Sequence, residues 1–275
     1  LNIFNATMMD DKGHIQLNNL LYSCVYEKQR GNEQFVYEHA LGCVVSGETH
    51  LLTNTGTIKF KAGTIGLVRR NQLVKSLKVP PPGGEFKSLN IFLDQAFLRR
   101  YSAENKLAQV EPYTGPSYRI LQPDPYLKGY FDSLLPYFNQ SAQPNAPLAE
   151  LKTREAVELL LRHDPGLKGI LFDFSEPGKI DLESFMNRNY MYNVPAAKFA
   201  MLTGRSLASF KRDFEKVFHT SPGQWLLQKR LMEARYLISQ KGRKPSEVYL
   251  DVGFENLSHF SYSFKKAFGV APSMM

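Results

Sequence analysis

The sequence predicts an α+β chain with a strand-rich first half and an all-helical second half. Three observations predict it. Between Phe35 and Leu93 short apolar runs are split by glycines and turn residues at close spacing, as in a small barrel or jelly roll. From Ile180 onward the apolar periodicity is helical. Within that half one amphipathic segment occurs twice. Leu207, Phe210, Phe214, Lys216 and Phe218 return fifty residues later as Leu257, Phe260, Phe264, Lys266 and Phe268, and Pro222 returns as Pro272. A repeat in register means one structural unit used twice.

A chain of 275 residues has room for two domains, each with its own core. It contains no run of eighteen apolar residues, so no membrane-spanning helix is expected. The first residues lack the basic and apolar regions of a signal peptide, and a cytoplasmic location is expected. Cys24 and Cys43 are the only cysteines. They are expected as reduced thiols, a single disulfide being the alternative. The net charge of +8 is unevenly spread. Residues 181–275 hold 14 Lys and Arg against 8 Asp and Glu, while residues 1–180 hold 20 against 18. The excess coincides with the repeat and points to a polyanion partner for that half, against a plain solvated basic surface.

In chain order, two short strands are expected around Leu20–Tyr26. The strand-rich stretch then runs through Cys43-Val44-Val45, Thr49–Thr53, Thr57–Phe60 and Thr64–Val68. A hairpin turn is expected at Asn54–Gly56. Pro80–Gly84 interrupts the pattern, and Glu85–Leu93 resumes it. A barrel of this size either holds a small ligand or is filled by its own side chains. Helical periodicity begins at Asp94–Tyr101 and continues at Tyr126–Phe138. Gln140–Pro147 reads as a loop. Leu148–Leu161 reads as a helix with a broad apolar face. That face serves either an intramolecular contact or a dimer seam through Leu148, Leu151 and Leu159. Ser175–Lys179, with Pro177 and Gly178, marks the boundary between the halves.

Enzyme chemistry finds little support. A metal-dependent barrel needs several His and carboxylates converging on one ion. The strand-rich region offers His39 and His50, eleven residues apart, and neither belongs to a His-x-His pair. Glu38 beside His39 is an acid–base pair by adjacency alone. No phosphate-binding glycine loop, Gly-x-Ser-x-Gly elbow or Cys-x-x-Cys pair occurs. No catalytic residue, metal or cofactor is therefore expected. Arg69 and Arg70 follow an apolar run directly. In a strand they would point to opposite faces, and the inward one would need a partner. Glu38 or Glu48 would close the barrel without a ligand, the reading favoured here, which tilts toward a protein partner as regulator; an anionic ligand is the alternative.

The second half reads as a helix at Ile180–Tyr190, then Ala196–Leu202, a turn at Thr203-Gly204-Arg205, and the opening amphipathic helix capped by Ser206. Helix, tight glycine turn, helix is the helix-turn-helix arrangement. Ser221 caps a long helix, Gln224–Ser239, with Pro222 in its first turn. Pro245–Leu250, a turn at Val252-Gly253-Phe254, and Asn256–Phe268 form the second copy.

Residues at these positions carry a resemblance. In the second copy they are Val252-Gly253-Phe254, Ser258, Phe260, Phe264-Lys265-Lys266, Phe268-Gly269 and Pro272. In the first they are Phe199-Ala200, Gly204, Ser206, Phe210, Arg212 and Phe214, and between them Trp225, Arg230-Leu231 and Ala234. They resemble the AraC/XylS family of bacterial transcription regulators over residues 180–275. The first half is similar to that family's amino-terminal regulatory domains. Val68-Arg69-Arg70 and Leu151-Lys152 look most like the type III secretion activator branch. The resemblance implies a cupin-like regulatory barrel over 1–100, a helical linker and dimerisation segment over 101–179, and a DNA-binding domain over 180–275.

It also implies an activator that binds double-stranded DNA as a homodimer, with RNA polymerase as a further partner. A small molecule or a protein would be the effector. Groove-facing roles fall by position to Ala208, Lys211 and Arg212, and to Ser258, Ser261 and Tyr262. Ser209, Lys216, His259, Lys265 and Lys266 become phosphate contacts. Two departures stand out: the family has a small residue where this chain has Tyr249 and an Arg where it has Tyr262. A protein-interaction module, or a barrel enzyme fused to the same DNA-binding half, are the rival readings of the first half.

Overall fold

Two sheets facing one another across a hollow build the first part of the molecule. The computed structural model describes residues 10, 13–30, 35–53, 56–107, 113–139 and 146–275. The chain divides into two units, Leu1–Ser175 and Glu176–Met275. The first contains β1 His14–Leu17, β2 Leu20–Val25, β3 Gln29–Arg30, β4 Phe35–Val36, β5 His39–Ser46, β6 Glu48–Thr53, β7 Gly56–Lys61, β8 Ile65–Val68, β9 Gln72–Leu73, β10 Lys75–Val79 and β11 Phe86–Leu93. Then come α1 Gln95–Glu104, β12 Tyr118–Ile120, α2 Pro125–Asn139, α3 Ala146–His163 and α4 Lys168–Leu171. A six-stranded sheet runs β1-β2-β11-β5-β8-β12, and a four-stranded one β3-β10-β6-β7.

Period-two side-chain alternation gives the large sheet two different faces. Along β11, Ser88, Asn90 and Phe92 line the hollow. Leu89, Ile91 and Leu93 point the other way, into a core shared with Phe97, Leu98, Leu127, Leu134, Val157, Leu160 and Leu171. Each such side chain contributes about 1.5–3 kcal/mol by leaving water. Tyr101 of α1 stacks on Phe172 after α4, with centroids 5.8 Å apart and planes at 7°. The helices α2, α3 and α4, expected within a separate linker and dimerisation segment over 101–179, thus share one core with the sheet, and residues 176–179 fall in the second unit. Asp94 starts α1 by accepting from the Phe97 amide at 2.8 Å.

The hollow measures about 560 Å³. Its walls include Leu21, Val44, Leu51, Phe60, Val68 and Phe92, with Lys78, Ser23 and His14 at a polar patch. The barrel is therefore not filled by its own side chains, which corrects the closed-barrel expectation. Arg69 and Arg70 correct it further, for neither lines the hollow. β8 ends at Val68, so strand alternation does not apply to them. Arg69 Nη2 donates to Asp173 Oδ2 at 2.6 Å. Arg70, buried, donates to the carbonyls of Asp173 at 3.3 Å and Ser175 at 2.9 Å. The partner is Asp173, about a hundred residues away, in place of Glu38 or Glu48. His39 is fully buried, accepts from the Arg70 amide at 3.3 Å through Nδ1, and has its pKa pushed down to about 3 by burial.

Other expectations hold with shifted ends. The pairs Leu17↔Leu20 and Thr53↔Gly56 close two hairpins. The turn predicted at Asn54–Gly56 lies largely outside the described residues, as does most of the loop predicted at Gln140–Pro147. The strand β12 was not expected, because three residues are too few to show a period. It pairs with β8 through Tyr118↔Val68. Cys24 and Cys43 are free thiols. Among the described residues no helix is long and apolar enough to cross a membrane.

The second unit is helical: α5 Leu182–Asn189, α6 Ala196–Leu202, α7 Leu207–Phe218, α8 Pro222–Ser239, α9 Pro245–Asp251 and α10 Leu257–Phe268, closed by a 3-10 turn at Pro272–Met274. The long helix α8 serves both copies of the repeat. Near its start Trp225 meets Phe214 and Phe218, at 5.7 and 4.6 Å between centroids. Further along, Leu231, Ala234 and Ile238 pack with Val248, Val252, Phe254, Phe260 and Phe264.

Candidate nucleic-acid interface

Each copy of the repeat builds its exposed helix in the same way. In the first, Phe199, Phe210 and Phe214 are fully buried. Thr203 closes α6, its hydroxyl donating to the Phe199 carbonyl at 2.8 Å. Arg205 in the turn donates to the Thr203 carbonyl at 2.7 Å, the Ile180 carbonyl at 3.0 Å and Asp213 Oδ2 at 3.1 Å. It thereby clamps the turn to α7. The Arg205 hydrogen bond, aided by the charges of Lys179 and Arg212, holds the Asp213 carboxyl below its usual pKa. Ser206 caps α7 by accepting from the Ser209 amide at 3.2 Å. In the second copy Asn256 does the same for α10, accepting from the Ser258 and His259 amides at 2.8 and 3.1 Å. Both helices end on a left-handed residue, His219 with φ 53 and Gly269 with φ 80.

The buried stripe of α7 is narrower than expected. Phe210 and Phe214 are buried, but Leu207 and Val217 are 41% and 42% exposed. The helix is covered where α5, α6 and α8 reach it. Its opposite face carries Ala208, Arg212 and Lys216, four residues apart and all exposed. The matching face of α10 carries Ser258, Tyr262 and Lys266, also exposed. Residues at i and i+4 share a helix face, so each helix presents one column: small, long, lysine. Arg212 is 67% exposed and approaches Asp213 at 3.9 Å. Tyr262 is 69% exposed. Lys211, His259 and Lys265 are exposed beside these columns, while Ser209 and Ser261 are half-buried at their edges. Tyr249 is half-buried against the core of the second copy, 6.4 Å from Phe260.

Of the expected seam residues on α3, Leu151 stands 63% exposed. Leu148 is half-buried, and Leu159 packs against its own core. The three do not form one exposed face. Sequence reasoning gave no role to Glu215, exposed on α7 where α10 has Lys265, or to Arg230. The signal for Arg230 was a charged residue beside Leu231 and Ala234 on an otherwise apolar stretch of α8. Among the described residues no group of three His, Cys, Asp or Glu is placed to hold a metal.

Two family models match the chain: an ExsA N-terminal regulatory domain over residues 39–168 and a helix-turn-helix domain over residues 199–275. The HTH-type transcriptional regulator ExsA of Pseudomonas aeruginosa is 26% identical over 252 residues, covering 90% of this chain and 87% of that protein. The virulence regulon transcriptional activator VirF of Yersinia enterocolitica is 24% identical, with 86% and 90% covered. The thermoregulatory protein LcrF of Yersinia pestis is 25% identical, with 83% and 82% covered. A solved structure of ToxT from Vibrio cholerae is 14% identical, with 94% and 97% covered and a TM-score of 0.44. With a regulatory-domain match in the first unit, a helix-turn-helix match in the second and transcription regulators as relatives over most of its length, the chain carries an AraC-type helix-turn-helix domain behind an ExsA-type regulatory domain, the make-up of a DNA-binding transcription regulator.

Proposed function

We propose that the chain is a transcription activator that lays α7 and α10 in successive major grooves of one duplex. One observation carries this reading: the two helices repeat the same exposed column, Ala208, Arg212, Lys216 and Ser258, Tyr262, Lys266, on equivalent buried phenylalanines. Arg212 can donate to guanine O6 and N7, and Ala208 and Tyr262 can touch thymine methyls. Lys211, Ser258 and Ser261 complete the base-facing set. Ser209, Lys216, His259, Lys265 and Lys266 hold phosphates and make affinity salt-dependent. Grooves on one face of B-DNA recur every ~34–36 Å, about 10–10.5 base pairs. Selection from a random duplex library by the full chain should return two sequence elements at that spacing. Recovery of one element, or of none, would refute the reading.

The hollow in the first unit favours a small molecule as effector over a purely protein-facing barrel. Lys78 Nζ lies 3.1 Å from Ser23 Oγ and 3.2 Å from His14 Nε2, a polar patch set against apolar walls. A ligand with one polar end would fit that division. The reading places the chain in the cytoplasm with the chromosome and with RNA polymerase, and it involves no catalytic step. Two copies would pair about the exposed Leu151 of α3.

A further inference from the structure

Arg230 lies midway along α8, between the two copies of the repeat. Its guanidinium makes four hydrogen bonds. Nε donates to the Tyr190 carbonyl at 2.8 Å and Nη2 to the Tyr192 carbonyl at 2.8 Å. Nη1 donates to Asn193 Oδ1 at 3.3 Å and to the Gly253 carbonyl at 3.1 Å. Tyr190 to Asn193 is the segment that leads from α5 into the first helix-turn-helix. Gly253 is the turn of the second. One planar group therefore grips both copies at once, from the helix that joins them.

The fit is close. Gly253 has φ +102, and a Cβ there would sit 2.6 Å from the Met191 carbonyl oxygen and 2.9 Å from Arg230 Nε. The second turn is thus pressed against the first copy's entry segment, with room for glycine alone. Burial pushes the Arg230 pKa down to about 10, so the group remains charged at neutral pH. A half-buried cation is held best by oxygens in the right places. Here they are three carbonyls and one amide, whose positions depend on how the two copies are set. Apolar packing lets helices slide at small cost. A fork of directed bonds to two separate segments resists both sliding and rotation.

We propose that Arg230 is a positioning residue for DNA reading, tying the entry of the first helix-turn-helix to the turn of the second and so fixing the separation and phase of the two recognition helices. This rests on the two-groove reading above. When two elements bind as one unit, the second gains from the effective concentration that the tie maintains. A looser tie lowers that gain without touching either recognition face.

The test uses the full chain and duplexes chosen by selection with it. Wild type is measured on the two-element duplex, on duplexes with either element scrambled, and on one with a base pair inserted between the elements. That insertion shifts the second element by ~3.4 Å and turns it by about 35°. Arg230→Lys keeps the charge and stem but replaces the fork by a point; Arg230→Met removes the charge. Either variant, once its circular dichroism matches wild type, should lose about tenfold on the two-element duplex while staying within about threefold on single elements. Its penalty for the inserted base pair should shrink. Parallel losses on all duplexes, or an unchanged insertion penalty, would overturn the positioning role while leaving the two-groove reading intact. A wild type indifferent to the insertion would overturn both. If neither variant folds, Arg230 is a folding residue and the proposal falls.

Discussion

Replacing Asp173 by Ala should cost the first unit about 3–5 kcal/mol, the range for breaking a buried ion pair on one side. The carboxylate is 2% exposed. Oδ2 accepts from Arg69 Nη2 at 2.6 Å and from the Tyr113 amide at 3.0 Å. Oδ1 accepts from the Ser175 amide at 3.0 Å and from the Ser175 hydroxyl. Removing it strands two amides and a guanidinium. Ser175 is exposed and Arg69 is 25% exposed, so water recovers part of the loss. The lower end of the range, ~3 kcal/mol, is therefore expected. At 2–4 °C per kcal/mol for a domain of this size, the midpoint should fall by about 6–12 °C. Burial alone would raise the pKa of this carboxyl. The hydrogen bonds from Ser175 and Tyr113, with the Arg69 charge, outweigh it and hold the pKa below the usual carboxylate value. Asp173 therefore binds a proton more readily unfolded than folded. Its contribution is complete above about pH 4, its unfolded range, and disappears as pH falls through the depressed folded value. Thermal unfolding of wild type and Asp173→Ala, followed by circular dichroism from pH 7 to pH 3, should show a gap that narrows toward acid. A gap under ~1 kcal/mol at pH 7, or one that widens on acidification, would refute the argument.

Three further outcomes can be checked. His219→Gly relieves a left-handed residue at the end of α7, where the second copy has Gly269. It should raise stability by about 0.5–1 kcal/mol once the added freedom of the unfolded chain is offset, and a lower unfolding midpoint would contradict this. Arg212→Ala should cost ~1–3 kcal/mol on the selected duplex and relax preference at one base. Lys216→Ala should weaken all sequences alike and reduce the salt slope by about 1, so identical selection profiles for the two would void the assignment. Leu151→Glu should convert a dimer to monomer in sedimentation, and an unshifted coefficient would remove the seam from α3.

Much of the second unit was legible because its signals are local. Ser206 and Ser221 cap helices by reaching amides three residues away. The phenylalanine stripes recur at a period that the backbone geometry imposes. Such features need only a few neighbouring residues, and a linear string carries them whole. The pairing of Arg69 with Asp173 was not legible, since it joins residues 104 positions apart. Strand alternation also misled, because β8 stops one residue before Arg69.

The sequence by itself determined that one amphipathic helix is used twice, where each copy starts and stops, and which phenylalanines each buries. Only the tertiary structure decided what lies between and around them. The large sheet pairs β11 with β2 and β5, distant in the chain, and leaves the hollow open. Arg230 finds three backbone carbonyls, from Tyr190, Tyr192 and Gly253. Every residue type has a carbonyl, so no side-chain pattern marks which ones a half-buried guanidinium will meet. Long-range pairing is selected by the free energy of the whole packed chain, and its partners are specified only once the fold has closed.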